Sequence, residues 1–240
     1  MQLSVWFLVL ALVAEIIGTV GGFGSSVFFV PLANFYFDFQ TVLGLTAVFH
    51  LASNVSKIAL FRKGMDRGLI LYIGIPSVAF VIVGGLLTRV LTGAWLEMLL
   101  GIFLVGFSLL FLLTRLKVAP HPRPAMVGGA ISGFTAGLLG SGGAIRGVTM
   151  AAFDLEKSRF IATSAAIDLA IDATRTVVYY QNGFIGATAW IYLPYLFVIG
   201  LLGTWLGKWV LRGITQTAFR RIALLLILGI GLVTLVRAWP

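Results

Sequence analysis

The chain has no cysteine, which removes disulfides, thiolate metal sites and thiol redox chemistry. It also has little charge. Asp, Glu, Lys and Arg together make up 10% of the residues, against about a quarter in an ordinary soluble domain, so a soluble globular fold is excluded. Histidine is scarce, at two residues. There is no His-Glu-x-x-His pair and no Gly-x-Ser-x-Gly turn, and neither glycine cluster ends in the Gly-Lys-Ser/Thr of a phosphate-binding loop. The reading therefore includes no cofactor, no metal and no catalytic group. What the chain has instead is apolar surface: 60% of its residues are hydrophobic and its mean hydropathy is +1.06. It reads as an all-α polytopic membrane protein.

Stretches with little or no charge run over about 3–37, 39–56, 68–88, 90–114, 125–153, 160–181, 184–207 and 222–236. Most suffice to span a hydrocarbon core of about 30 Å. No Lys or Arg precedes Lys57, so the first stretch lacks the basic start of a secretory signal and is read as a retained segment. The net charge of +9 does not point to nucleic acid, because the basic residues sit in short loops, where they orient membrane helices.

One design occurs twice. Gly22-Phe23-Gly24-Ser25-Ser26 is followed by a polar helix through Lys57; Gly140-Ser141-Gly142-Gly143 is followed by one through Arg175. The offset is 118 at each anchor (140−22, 142−24, 175−57), and His50 to Lys57 lies against Asp168 to Arg175. Residues 1–118 and 119–240 are thus read as two membrane repeats of one transport domain, joined near the proline-rich stretch 115–124, where Pro120, Pro122 and Pro124 stop a helix from continuing.

As single helices, 3–37 and 125–153 would be rods of about 52 and 43 Å, too long for one perpendicular crossing. The breaks belong at the glycine clusters. Each broken segment either crosses once as a kinked helix or turns back as a hairpin, and charge chooses between them. Of the 17 Lys and Arg residues, Lys57, Arg146 and Arg175 lie in hydrophobic segments, leaving 14 near loops. Single crossings divide these 14 seven to seven; hairpins leave only Arg89 and Arg237 on one side and 12 opposite. The positive-inside rule prefers the hairpins. The N-terminus is then outside, with basic loops at 62–67, 115–123, 157–159 and 208–221 in the cytoplasm. Each repeat becomes a glycine-broken hairpin plus three transmembrane helices, eight to ten membrane segments in all. An odd number of reversals makes the repeats inverted, with their tips able to meet near the midplane. Whether the hairpins are re-entrant or fully spanning stays open.

Several residues are candidates for a site. Gly22, Gly24, Ser25, Ser26, Gly140, Ser141, Gly142 and Gly143 form the two tips, each opening a new helix whose first N–H groups are unpaired and partly positive, as an anion requires. Helix packing by small residues and capping by the serines are the competing accounts. Arg146 sits in the first turn of the second half-helix, where a fixed cation needs an anion. That anion is either substrate or one of Glu15, Asp168 and Asp172. Lys57 and Arg175 are repeat-equivalent cations that either face substrate or snorkel to the interface. Asp172 stands three residues before Arg175, in position to neutralise it. Asp168 and its equivalent His50 are the candidates for a coupling proton, with Asp172 beside them. Asn54 either offers its amide to substrate or bridges helices. The aromatics Trp95, Tyr179, Tyr180, Trp190 and Trp239 fall near segment ends, as interface anchors do.

The glycine–serine cluster with Pro31-Leu32, its second copy at Gly140 to Gly143 and the two polar helices resemble the sulfite exporter TauE/SafE family over essentially the whole chain. The resemblance implies transport of small sulfur-containing anions, such as sulfite or organosulfonates, across the bacterial inner membrane. Ser25, Ser26 and Thr149 depart from the glycine-richest form of the motif. The expected function is a secondary transporter with alternating access to a midplane site. Its partners are a small anionic substrate and the lipid bilayer; a coupling proton and a homo-oligomer stay open. An anion channel and an intramembrane enzyme using Ser25 or Ser26 with His50 are the alternatives.

Overall fold

A computed structural model of the chain describes residues 4–21, 24–61, 64–114, 118–210 and 216–239. The regular structure of these residues is all helix, without strands. In chain order the helices are α1 (Val5–Gly21), α2 (Ser26–Ala33), α3 (Phe39–Leu60), α4 (Arg67–Leu87), α5 (Gly93–Leu113), α6 (Pro122–Leu139), α7 (Gly143–Ala151), α8 (Lys157–Gln181), α9 (Ala187–Val210) and α10 (Gln216–Ala238). Local chemistry sets several boundaries. Asp38 caps α3 by accepting from the Thr41 N–H at 2.9 Å. Pro122 opens α6 at a position where a missing N–H costs nothing. Within α4 the turn Ile70–Gly74 widens to a π-helix just before Pro76, which cannot donate to the ladder.

Five helices are long and apolar enough to cross a membrane: Phe39–Leu60, Arg67–Leu87, Gly93–Leu113, Ala189–Val210 and Arg221–Ala238. α8, at 25 residues, has the length, about 37 Å, but carries a row of buried polar groups. The two broken segments are hairpins. Phe7 at the start of α1 packs on Tyr36 and Phe37 beyond the end of α2, with ring centroids 5.6 and 5.0 Å apart, so this segment returns to the face it left. In the second hairpin, Ala125 near the start of α6 shares a core with Met150 and Phe153 at the end of α7. The return arms α2 and α7 have 8 and 9 residues, about 12 and 14 Å, less than half the hydrocarbon thickness. Neither return arm is long enough to cross a hydrocarbon core by itself.

The helices follow the 118-residue spacing. The starts of α6, α7 and α8 come 117, 117 and 118 residues after those of α1, α2 and α3. α3 and α8 pack antiparallel: His50 meets Arg175, Asn54 meets Asp172 and Phe61 meets Ile161, with numbers rising on one helix as they fall on the other. Antiparallel order also holds for α5 and α10, where Gly101 faces Leu235 and Gly231 faces Leu104. Each hairpin packs on a helix of the other half, α1 on α9 and α6 on α4.

The α4–α6 seam is the tightest. A Cβ on Gly129, Gly133 or Gly137 would lie 2.4, 2.1 or 2.2 Å from the carbonyl oxygens of Ile73, Ser77 and Val81. Ser77 bridges the seam by donating to the carbonyls of Ile73 and Gly129 at 2.7 and 2.8 Å. Lipid offers no hydrophobic drive between helices, so this approach of backbones supplies much of the association. Side chains such as Ile102, Leu113, Leu225 and Val236 are left on the outer surface.

Gly133→Val should force α4 and α6 apart and cost about 1–3 kcal/mol. Gly106→Ala, which meets nothing within 4 Å, should be neutral. Thermal unfolding of the two purified variants checks the contrast; equal midpoints would count against the seam.

Candidate functional site

Both hairpins break in the interior and their tips meet. Gly24 and Gly140 have φ of +79° and +71°, the left-handed region open to glycine, and a Cβ on Gly24 would lie 3.5 Å from Cα of Gly143. Irregular backbone at such depth is tolerated where protein buries it or where it lines a cavity. Here it does line one. Gly24, Ser25, Ser26, His50, Asn54, Lys57, Gly140, Gly142, Gly143, Arg146, Asp168, Asp172 and Arg175 surround a cleft of about 340 Å³, counted with the space at its mouth. Of the residues singled out in the sequence, Ser141 is buried behind the second tip, and its hydroxyl has no partner among the described residues. Gly22 lies outside the described residues. The chain thus brings together nearly every polar candidate, from positions as far apart as Gly24 and Arg175.

Every cation in the cluster is paired. Lys57 Nζ lies 2.9 Å from Glu15 Oε1, Arg146 Nη2 contacts Asp168 Oδ2, and Arg175 Nη2 lies 2.8 Å from Asp172 Oδ1. Arg146 and Arg175 are 1% and 2% exposed, so neither snorkels, and Lys57 is buried as well. Arg146 also donates to Ser164 Oγ at 3.1 Å. Arg175 donates to the Gly140 carbonyl at 2.9 Å, placing a cation at the negative end of α6. Its Nε has no partner among the described residues.

Glu15, fully buried, is the hub of the first half. Besides Lys57 it accepts from Ser25 Oγ at 2.5 Å, Thr204 Oγ1 at 3.1 Å, Thr19 Oγ1 at 3.2 Å, and Ser53 Oγ. A chain of hydrogen bonds then leaves Glu15 and crosses to the second half. Ser25 Oγ lies 2.8 Å from His50 Nε2, and His50 Nδ1 lies 3.1 Å from Arg175 Nη2. A guanidinium can only donate, so Nδ1 carries the lone pair and Nε2 the proton; Ser25 accepts that proton and passes its own to Glu15. Asn54 donates to Asp172 at 2.7 Å, linking residues 118 positions apart in sequence.

The serines of the first tip do not cap α2 through their side chains; the Ser25 hydroxyl is taken by Glu15 and His50. Tyr179 differs from the expected interfacial anchor. It is buried and donates to the carbonyls of Gly137 and Ala136 at 2.6 and 3.2 Å, holding the end of α6. Glu15, Ser53, Ser164 and Thr204 belong to the polar cluster around the cleft, and the sequence pattern did not single them out as such. For Ser164 the available signal was its position one turn before Asp168 on the same helix.

A second cavity of about 310 Å³ adjoins the first and shares Gly24, Lys57 and Asp168 with it. Its other walls are Gly18, Thr19, Phe160, Ile161, Ser164 and Ala165. It therefore lies toward the end of α3 and the start of α8, the face that carries Arg67, Lys157, Arg159 and Lys208. On that face Arg159 bridges to Asp66 at 2.9 Å, and Thr163 accepts from the Asp66 N–H at 2.9 Å. At the opposite face Arg89 donates to Asn182 at 2.5 Å.

Broken helices meeting around a charged interior, inside a shell of lipid-length apolar helices, define a multi-pass membrane protein of the transporter type. The family model described as "Sulfite exporter TauE/SafE" matches residues 7–234, and the chain belongs to that family. Family membership places it among transporters rather than enzymes. No match was found among curated proteins.

Glu15→Ala should cost about 3–5 kcal/mol, because it strands a buried ammonium and removes the acceptor shared by four hydroxyls. Adding Lys57→Ala should recover part of the loss, read as non-additivity in a thermal-unfolding double-mutant cycle. Strict additivity would mean that the pair is uncoupled.

Proposed function

We propose that the protein is a secondary transporter of small anions, of the sulfite or organosulfonate type, working by alternating access to the cleft between its two halves. The observation that carries this reading is the meeting of both glycine tips with three buried cations around one cleft, in a chain of the sulfite exporter family. A sulfonate or sulfite oxygen suits such a place: glycine lets peptide N–H groups approach it, and Arg146 adds planar donors that match an oxyanion. Under this reading Gly22, Gly24, Ser25, Ser26, Gly140, Ser141, Gly142 and Gly143 cradle the solute. Lys57, Arg146 and Arg175 supply charge, and Asn54 an amide. His50, Asp168 and Asp172 serve a coupling proton.

Residues 1–118 and 119–240 act as inverted repeats in the bacterial inner membrane, with the N-terminus outside and the basic loops in the cytoplasm. The burial of Arg146, Arg175, Asp172 and Ser25 favours a gated site over an open anion channel. Saturable, gradient-driven flux in liposomes supports the transporter; large unitary currents would favour the channel instead.

Arg146→Ala should abolish the thermal stabilisation that sulfite or methanesulfonate gives to purified protein while the protein still folds; full stabilisation would take Arg146 out of the site. Because the chain has no cysteine, single cysteines report topology without background. A thiol at Met65 should react with an impermeant reagent only from the cytoplasmic side, and one at Tyr36 only from outside. Both reacting from one side would overturn the proposed orientation.

A further inference from the structure

The cluster has no net charge to offer. Its cations are Lys57, Arg146 and Arg175, its carboxylates are Glu15, Asp168 and Asp172, and each cation is bound to one carboxylate, so +3 meets −3. His50 adds nothing, since its Nδ1 accepts from Arg175 and only one ring proton remains. An anion entering this buried space would leave it negative. Taking Arg146 for itself, it would also face the carboxylate that Arg146 had neutralised. Two anions on one cation, away from water, is an arrangement that neither desolvation nor Coulomb energy permits at low cost.

Resting on the transport reading above, we propose that the site binds one proton for each negative charge of the anion it admits, and that Asp168 is the group that receives the first. The three carboxylates differ in what holds them. Glu15 keeps four hydroxyl donors when Lys57 is discounted. Asp172 keeps the Asn54 amide when Arg175 is discounted. Asp168 is held by Arg146, which is the group best placed to meet the anion. Its side chain is also the most open of the three, at 20% exposure against 0% for Glu15 and 4% for Asp172. It lines both cavities, the second of which lies toward the face that carries the basic loops.

The charged and titratable groups around Asp168 come from four helices: Arg146 on α7, Lys57 and His50 on α3, Asp172 and Arg175 on α8 itself, and Glu15 on α1 behind Lys57. The remaining neighbours of α8, α4 and α6, contribute only Ala136 to the lining, and no charged side chain among the described residues. Binding is then an exchange. The anion takes the Arg146 guanidinium, Asp168 lets go of it and accepts a proton from water in the second cavity, and the cluster returns to neutrality. Transport of a monoanion is electroneutral, driven by the pH gradient and indifferent to membrane potential.

Methanesulfonate tests this, because it keeps a single charge across the working pH range and every proton counted belongs to the protein. Titration calorimetry of purified protein, in buffers of different ionisation enthalpy, should show about one proton taken up per methanesulfonate bound. Affinity should fall about tenfold per pH unit on the alkaline side. Asp168→Asn, an amide in place of the protonated acid, should bind methanesulfonate with no proton uptake and with affinity flat in pH. Wild-type binding without proton uptake would overturn the proposal, and so would uptake that survives in Asp168→Asn. Should that variant not fold, wild-type flux in liposomes decides: it should be unchanged by an imposed potassium diffusion potential at equal pH, and flux that follows the potential would overturn electroneutrality. Absence of any anion binding by folded wild type would instead sink the transport reading itself.

Discussion

Charge buried in a membrane interior must be matched, and the matching of three cations with three carboxylates is the constraint around which this structure is arranged. A lone guanidinium or carboxylate between helices costs several kcal/mol even after relaxation. Arg146, Arg175 and Lys57 each find an acid within ion-pair distance, and two of the acids, Glu15 and Asp172, are fastened in turn by hydroxyls and by an amide. The breaks at Gly24 and Gly140 to Gly142 add a second polar demand, because a helix that starts inside the bilayer exposes its first N–H groups. Ion pairs and helix ends therefore occupy the same place, where each makes the other tolerable.

Small residues make that concentration feasible. The glycines of α6 let its backbone lie directly on α4, and Gly203 and Gly207 do the same for α9 against Glu15 and Thr19 of α1. The hairpins are thus seated on helices of the opposite half, and their tips meet. The outer surface is left to aliphatic and aromatic side chains, such as Val236 and Trp209.

The 118-residue repeat was legible because polar residues inside apolar helices are few and their spacing stands out; Asn54 and Asp172, matched in sequence, touch in space. The hairpins were legible from loop charge, since turning back was the arrangement that sorted Arg89 and Arg237 from the remaining loop cations. The pairing of Arg146 was legible only as a set of alternatives: three acids were available, and the choice of Asp168 depends on how α7 seats against α8. Glu15 as a hub was not legible. One of its donors, Thr204, lies 189 residues away on α9, and no local pattern announces that meeting. Tyr179 misled for a related reason: a tyrosine near a helix end reads as an interfacial anchor until the end of α6 is found beside its hydroxyl.

Interactions around the cleft are distributed differently within and between the halves. Lys57 pairs with Glu15 inside the first half, and Arg146 with Asp168 and Arg175 with Asp172 inside the second, so among the described residues no buried ion pair joins the two. What does join them at the site is hydrogen bonding: His50 to Arg175, Asn54 to Asp172, and Thr204 to Glu15. An ion pair that does span the halves, Arg159 with Asp66, is at the surface, where such contacts contribute about 0–1 kcal/mol. At the site, then, the contacts between halves are bonds worth about 1 kcal/mol each, or somewhat more where one partner is charged, whereas rupture of a pair within a half would cost about 3–5 kcal/mol. Buried charge holds each half together, and the halves are joined by hydrogen bonds at the site and by the close packing of α6 on α4 and of α9 on α1 away from it.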